Sequence, residues 1–471
     1  MLENLLENAK KKFLLHTINS LTNLSNDEML RVINIGEKLL VRNPDVKKRT
    51  EGIKTLIEND APMAQLLRNT FEMFSPNAKK KFIENFLINA TIIGNQKRHG
   101  IEEKLGFGFP WFFVISPTAK CNLSCIGCYA GGYQQNEGLS FEEVDRIFTE
   151  AKHLGIYFIT VSGGEPFIWP KIYDLFEKHN DMYFQVYTNG TMLNKKNAKR
   201  LAELGNVAPG ISIEGSREET DNRRGAGIYD KVMEAMDNLT EAGVLHGFSV
   251  TMTKLNADTL TSDEFYDQMI AKKCFFGWLF QYVPIGRKPD VSLMATPEQR
   301  NKLRLKVQEI RNKKPIFLGD FWNDGEYVGG CLAGARPGGY FHINCDGDVE
   351  PCVFLQFSVD NIKGKHLLDV TQSPFFKAIR NAQPYTKNSN LLRPCALIDN
   401  PEVLRKLVNE YNAKPSYNSS YDVISKPEVT SFLDQYSEEH RKITDPVWEK
   451  EMKGKYKHWK EYWPDLSEKK K

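Results

Sequence analysis

The sequence predicts an α/β fold: a partial (β/α)6, TIM-like barrel with a helical domain before it and a small α+β domain after it. Three observations carry this reading. From Trp111 onward, strand-like apolar runs alternate with helical stretches at a spacing suited to repeated strand–helix units. Residues 1 to about 105 lack strand alternation and space their apolar residues as helices do. Beyond residue 315 the pattern changes to cysteines around an Asp346-Gly347 turn, a pair that accepts the positive φ values of a hairpin. At 471 residues the chain exceeds one ordinary core. The expected units are 1–105, 106–315, 316–400 and a helical extension over 401–471.

In the first unit Leu66, Leu67, Thr70, Phe71 and Phe74 recur at helical spacing. Ser25-Asn26-Asp27-Glu28 and Ser75-Pro76 read as helix starts, with Ser as N-cap and Pro in the first turn. The run Lys79 to Ile88 is basic and amphipathic. It is expected to pack an apolar stripe on the body with its lysines in water, a membrane-surface or lipid-facing role being the alternative. Strands are expected near Trp111 to Ser116, Tyr157 to Ser162, Tyr183 to Thr188, Gly210 to Ile213, Phe248 to Thr253 and Trp278 to Val283. The clearest helix between them starts at Ser140, whose capping-box pattern with Glu143 precedes Val144, Ile147 and Phe148. In the tail Trp448, Tyr456, Trp459, Tyr462 and Trp463 interleave with lysines, as in a terminal helix packed on the body, and Lys469 to Lys471 are expected to be disordered.

Charged residues make up 26% and hydrophobic ones 41%, an ordinary globular balance, and the net charge of +3 points to neither nucleic acid nor an acidic partner. Eight cysteines are few for a disulfide scaffold in a chain this long, and their clustering suits metal ligation in a reducing compartment. The start shows no signal-peptide pattern, and no run reaches the ~18 apolar residues of a membrane span. A cytoplasmic protein is therefore expected.

Chemistry concentrates at Cys121, Cys125 and Cys128, spaced CxxxCxxC just after the first strand. A cubane iron-sulfur cluster normally takes four cysteines, so three local thiols leave one iron open, and an open position is what a reactive site keeps. A zinc knuckle is the alternative. The other motifs fall at later strand ends, where barrels place reacting groups. Gly163-Gly164-Glu165-Pro166 follows the second strand and lets backbone approach a ligand closely beside a carboxylate. Thr188-Asn189 closes the third. Ser212 and Glu214 alternate on the fourth and so face one way. Arg223 and Arg224 follow, and Gln281 ends the sixth strand. Cys274, among aromatics, reads as a core thiol. A second group, Cys331, Cys345, Cys352 and Cys395, lies beyond the barrel.

CxxxCxxC followed by the aromatic Tyr129 resembles the cluster signature of radical S-adenosylmethionine (SAM) enzymes. The resemblance implies a 4Fe-4S cluster on Cys121, Cys125 and Cys128 whose open iron binds the SAM amino and carboxylate groups. Reductive cleavage then gives a 5'-deoxyadenosyl radical that takes hydrogen from an unactivated carbon. It further implies that Gly163, Gly164, Glu165 and Pro166 contact the SAM amino group, and that Ser212 and Glu214 hold its ribose and carboxylate. Arg224, favoured over Arg223, pairs with the carboxylate. Tyr129, Thr188 and Asn189 join this set, and Gln281 lines the adenosine or substrate side. The pattern Cys331-x15-Gly347-x4-Cys352 resembles the opening of SPASM and Twitch auxiliary-cluster domains. A full SPASM domain has seven cysteines and this region has four, so at most one auxiliary 4Fe-4S cluster is implied, completed by Cys345 or a non-cysteine group; an all-cysteine zinc site is the alternative. The implied partners are SAM, a peptide or protein substrate with a lipid chain as the rival, and an electron donor such as flavodoxin or ferredoxin. An iron-sulfur carrier without turnover is the reading from another class.

Overall fold

The computed structural model describes residues 25–40 and 44–462. Trp463 and Lys469 to Lys471 lie outside them. Among the described residues the chain is organised by a ten-stranded sheet. Its strands are β1 (Phe112–Ile115), β2 (Phe158–Val161), β3 (Tyr183–Thr188), β4 (Val207–Ser212), β5 (Gly247–Met252), β6 (Phe276–Gln281), β7 (Phe317–Asp320), β8 (His342–Ile343), β9 (Asp348–Glu350) and β11 (Asp360–Asn361), while β10 (Phe357–Ser358) and β12 (Lys414–Pro415) form a separate pair. Strands β1 to β7 are parallel neighbours in chain order. Parallel pairing requires a crossover between strands, and helices supply it: Phe141–His153, Ile172–Lys178, Lys195–Leu204, Ile228–Ala242, Asp263–Ala271 and Pro297–Lys313. The first of these starts at the expected capping box. Ser140 Oγ accepts from the Glu143 amide at 3.1 Å, and the Glu143 carboxylate accepts from the Ser140 amide at 2.8 Å.

Two differences from the sequence expectation bear on the site. A seventh parallel strand, β7, follows the expected barrel boundary at 315; it is only Phe-Leu-Gly-Asp and carries no alternation to read. The small C-terminal unit also continues the barrel sheet, because β8 pairs in parallel with β1, Val114 opposite His342 and Ile115 opposite Ile343, and β9 returns antiparallel beside it. The chain from β7 to β8 thus spans the open side of the barrel. The fourth strand begins at Val207, earlier than expected, because Pro209 and Gly210 argue against a strand interior.

The stripe after Lys79 takes the packing role, as a π-helix over Phe82–Ile93 with Phe82, Ile83 and Ile88 buried. Its Phe86 ring meets Trp111, Phe158 and Tyr183 at centroid distances of 6.1, 5.5 and 5.6 Å, closing the end of the barrel where the strands begin. Asn85 Nδ2 donates to the Asn180 and Met182 carbonyls and fixes the register of that contact. No helix among the described residues is long and apolar enough to cross a membrane. At the other end, Trp448 and Trp459 are buried as the tail expectation had it, while Tyr462 stays exposed.

Candidate functional site

The thiol loop leaves the C-terminal end of β1 and lines a cavity of about 360 Å³ inside the barrel. Cys121, Cys125 and Cys128 are free and half-buried. Backbone bonds fix the loop: the Gly164 amide donates to the Thr118 carbonyl, the Glu165 amide to Lys120 and the Ile126 amide to Arg223, each at 2.9 Å. The glycine requirement follows. A Cβ on Gly164 would stand 2.2 Å from the Lys120 carbonyl oxygen, and one on Gly163, whose φ is +122°, 2.4 Å from that of Thr118. The close approach these glycines permit is to the cysteine loop, with one edge of each left on the cavity. The Leu123 amide donates to Cys121 Sγ at 3.4 Å. Burial pushes the Cys121 and Cys125 thiols up, and for Cys125 the Arg224 charge pulls the other way.

Glu165 departs from its expected role. Its carboxylate is fully buried and does not line the cavity. Oε1 accepts from Thr188 Oγ1 at 2.8 Å and the Phe167 amide at 3.2 Å, and Oε2 accepts from the Asn189 amide at 2.8 Å. Burial still lifts its pKa to about 6. Pro166, starting a short turn over Pro166–Ile168, is buried and away from the cavity too. The carboxylate anchors the segment after β3, and that segment reaches the thiols: Asn189 Nδ2 donates to Asn122 Oδ1 at 2.9 Å and lies 3.7 Å from Cys121 Sγ. Thr188 and Asn189 both line the cavity.

Ser212 and Glu214 also part company. Ser212 lines the cavity with its Oγ 3.2 Å from Ser249 Oγ, whereas Glu214 is fully buried behind the arginines. Its Oε1 accepts from Arg223 Nη1 at 2.5 Å and Arg224 Nε at 2.7 Å. Burial opposes the charge of Arg224, but Glu214 more than offsets this and holds its pKa above the ordinary value. Both arginines line the cavity. Arg223 is further tied by its Nε to the Ile126 carbonyl at 3.2 Å, whereas Arg224 sets a second nitrogen, Nη2, 2.5 Å from Glu214 Oε1. Gln281 lines the wall with Nε2 3.5 Å from Met252 Sδ. The Tyr129 hydroxyl sits 2.5 Å from Ser162 Oγ, and burial raises its pKa to about 12. Arg223 and Tyr282 also line this wall, and so do Ser162 and Ser249, which were not singled out from sequence because neither belongs to a motif of its own.

The second group gathers three of its four thiols. Cys331, in the segment that spans the open side of the barrel, lines a smaller cavity with Cys352, just after β9, and Cys395. Cys345 is not with them: it packs against Ala119, Ala130 and Tyr133 under the first thiol loop. The hairpin turn sends it to the opposite face from Cys352. Phe321, Leu332, Tyr340 and Phe354 line both cavities, so the two thiol groups are divided by a largely aromatic wall. The Tyr340 hydroxyl is 2.8 Å from Cys352 Sγ. Cys331, Cys352 and Cys395 each receive the amide two residues on, from Ala333 at 3.5 Å, Phe354 at 3.4 Å and Leu397 at 3.3 Å. Cys121 does the same with Leu123. Such donors favour the thiolate, the form that ligates metal, so this donor set fits an iron-sulfur cluster at each site. Among the described residues no three His, Cys, Asp or Glu side chains converge on one ion.

Residues 115–266 match the family model described as the radical SAM superfamily, and residues 331–396 match SPASM, described as an iron-sulfur cluster-binding domain. Among curated proteins the chain is 30% identical over 206 residues to an Fe-coproporphyrin III synthase of Methanosarcina barkeri, a match covering 42% of this chain and 51% of that one. It is 27% identical to the mycofactocin maturase MftC of Mycobacterium ulcerans, covering 59% and 79%. The chain thus spans about half the length of the first of these relatives and more of the second. Among solved structures, SuiB of Streptococcus suis bound to precursor peptide SuiA superposes with a TM-score of 0.53 at 20% identity, covering 70% of this chain and 79% of that one, a likeness of fold.

Proposed function

The chain belongs to the radical SAM superfamily and carries a C-terminal SPASM domain, and from that premise we propose an enzyme that abstracts hydrogen from an unactivated carbon of a peptide or protein substrate. Its cofactors are a 4Fe-4S cluster, SAM and an auxiliary iron-sulfur cluster. When bound, they supply reductive cleavage of SAM to a 5'-deoxyadenosyl radical. The observation that carries the proposal is the single cavity onto which Cys121, Cys125, Cys128, Ser212, Arg224 and Gln281 all open.

Cys121, Cys125 and Cys128 are the cluster ligands in this reading, with Cys331, Cys352 and Cys395 at the auxiliary site. Arg224 receives the SAM carboxylate, kept charged in a buried position by Glu214. Ser212, Ser249 and Gln281 face the adenosine. Asn189, anchored by Glu165, steadies the thiol loop. An iron-sulfur carrier would need none of these walls.

The peptide substrate is supported by the maturase relative and by the peptide-bound structure of the same fold. A lipid chain is the second reading, favoured by the aromatic walls of the cavity. Electrons come from a donor such as flavodoxin or ferredoxin in a reducing, cytoplasmic setting. Anaerobic reconstitution followed by SAM and dithionite should release 5'-deoxyadenosine from the wild type and none from Cys125→Ala. Equal release from the two proteins contradicts the proposal.

A further inference from the structure

The inner part of the cavity has a chemistry of its own. Below the SAM-facing side chains it is walled by Trp111, Phe112, Phe158, Trp278 and Phe280, and the Trp111 ring stacks on Phe158 with centroids 5.1 Å apart. Among the described residues lining the cavity, the only charged side chains are Arg223 and Arg224, both held by Glu214 beside the thiol loop. An anionic group carried into the inner part would lose its water and meet no counter-ion, which disfavours its entry. Polar side chains interrupt the apolar surface, among them Thr160 and, across the strand pair from it, Gln185. Gln185, in the middle of β3 with Tyr187 next along the same face, lines the cavity at 5% exposure, and its Nε2 has no partner at hydrogen-bond geometry among the described residues. A buried amide donor without an acceptor is costly unless a ligand supplies one.

We propose that this inner chamber binds an uncharged apolar residue of the substrate and that Gln185 determines specificity by donating a hydrogen bond to a neutral carbonyl oxygen on it. The proposal rests on the peptide reading above and narrows it: the residue presented to the radical is aliphatic or aromatic and carries its amide carbonyl into reach of β3. A tetrapyrrole bearing several carboxylates does not suit these walls, even though one relative is named for coproporphyrin chemistry.

The test is equilibrium dialysis with the full, anaerobically reconstituted chain and small probes. N-acetyl-phenylalaninamide should bind at least about tenfold more tightly than N-acetyl-phenylalanine, which differs in ending in a carboxylate. Gln185→Leu should weaken the amide about tenfold, the worth of one buried hydrogen bond, and leave toluene binding unchanged. Toluene binding also shows that the variant is folded, and Gln185→Met repeats the test with an unbranched side chain. Equal binding of amide and carboxylate, or no loss in either Gln185 variant, overturns the proposal. So does tighter binding of coproporphyrin or of methyl decanoate than of the amide, the latter pointing to a lipid. Because these measurements do not involve SAM cleavage, wild-type release of 5'-deoxyadenosine stands or falls separately.

Discussion

The thiol loop after β1 and the group Cys331, Cys352 and Cys395 line two neighbouring cavities that share an aromatic wall. Cys121, Cys125 and Cys128 are half-buried, with Arg224 acting on Cys125 and the backbone of four other segments bonded to the loop. Cys331, Cys352 and Cys395 sit among Trp322, Tyr340 and Phe354, with Cys352 buried and the other two half-buried, and burial pushes Cys352 up to about 12 and Cys395 higher still. A reactive cluster needs room for an exchangeable ligand and a charge to orient it. A cluster behind an aromatic wall is shielded, and its assembly must release protons from thiols that hold them strongly. The same amide-to-sulfur geometry in both places shows that ligation chemistry is shared while access differs.

The comparison breaks most readily at its buried end. Asp399 accepts from the Cys395 amide at 3.0 Å and pairs with Arg300 at 2.6 Å, both side chains fully buried, with His440 Nδ1 at 3.3 Å. The Arg300 guanidinium holds the Asp399 carboxyl well below the usual carboxylate range against the opposing effect of burial. Asp399→Asn leaves a buried arginine without its counter-ion, and denaturant unfolding should show a loss of about 3–5 kcal/mol. A loss under about 1 kcal/mol would mean that this pair does not support the auxiliary site.

At the exposed end the arginines differ in what else holds them. Arg224→Met should weaken SAM binding by about a hundredfold, the lower range for removing one partner of a buried charge pair, and Arg223→Met by less. Dialysis against labelled SAM measures both, and a larger loss for Arg223 would exchange their roles.

A smaller effect concerns Glu165. Its folded pKa of about 6 lies above the ordinary 4.5, so its contribution to stability is fully present below about pH 4.5 and is lost as pH rises through 6. The loss is about 2 kcal/mol by pH 7. Thermal unfolding of the wild type and Glu165→Gln between pH 5 and 7.5 should therefore shift in favour of the variant as pH rises. A constant difference would mean that the carboxylate does not titrate in this range.

The parallel strands, the capping box at Ser140 and the packing of the stripe after Lys79 were legible because each is a local pattern. So were the two thiol groups. What sequence did not show depends on side-chain direction. Glu165 beside two glycines reads alike whether it faces a ligand or, as here, the Thr188 and Asn189 segment. Cys345 has a ligand's spacing, but the hairpin turns it toward Tyr133. Ser249 and Gln185 stand mid-strand without a motif, and only the closure of the barrel brings them to the cavity. Strand β7 is too short to show a period.

The central claim is that two separate thiol sets each hold one cluster and that Cys345 serves neither. Iron and sulfide analysis with Mössbauer spectroscopy on reconstituted protein tests it directly. Two 4Fe-4S clusters give about eight irons per chain. Wild type and Cys345→Ala should both carry that content, and about half of it should remain when either Cys121, Cys125 and Cys128 or Cys331, Cys352 and Cys395 are replaced by alanine. Full loss of iron from one triple variant, no loss from the other, or a halved content in Cys345→Ala would contradict it.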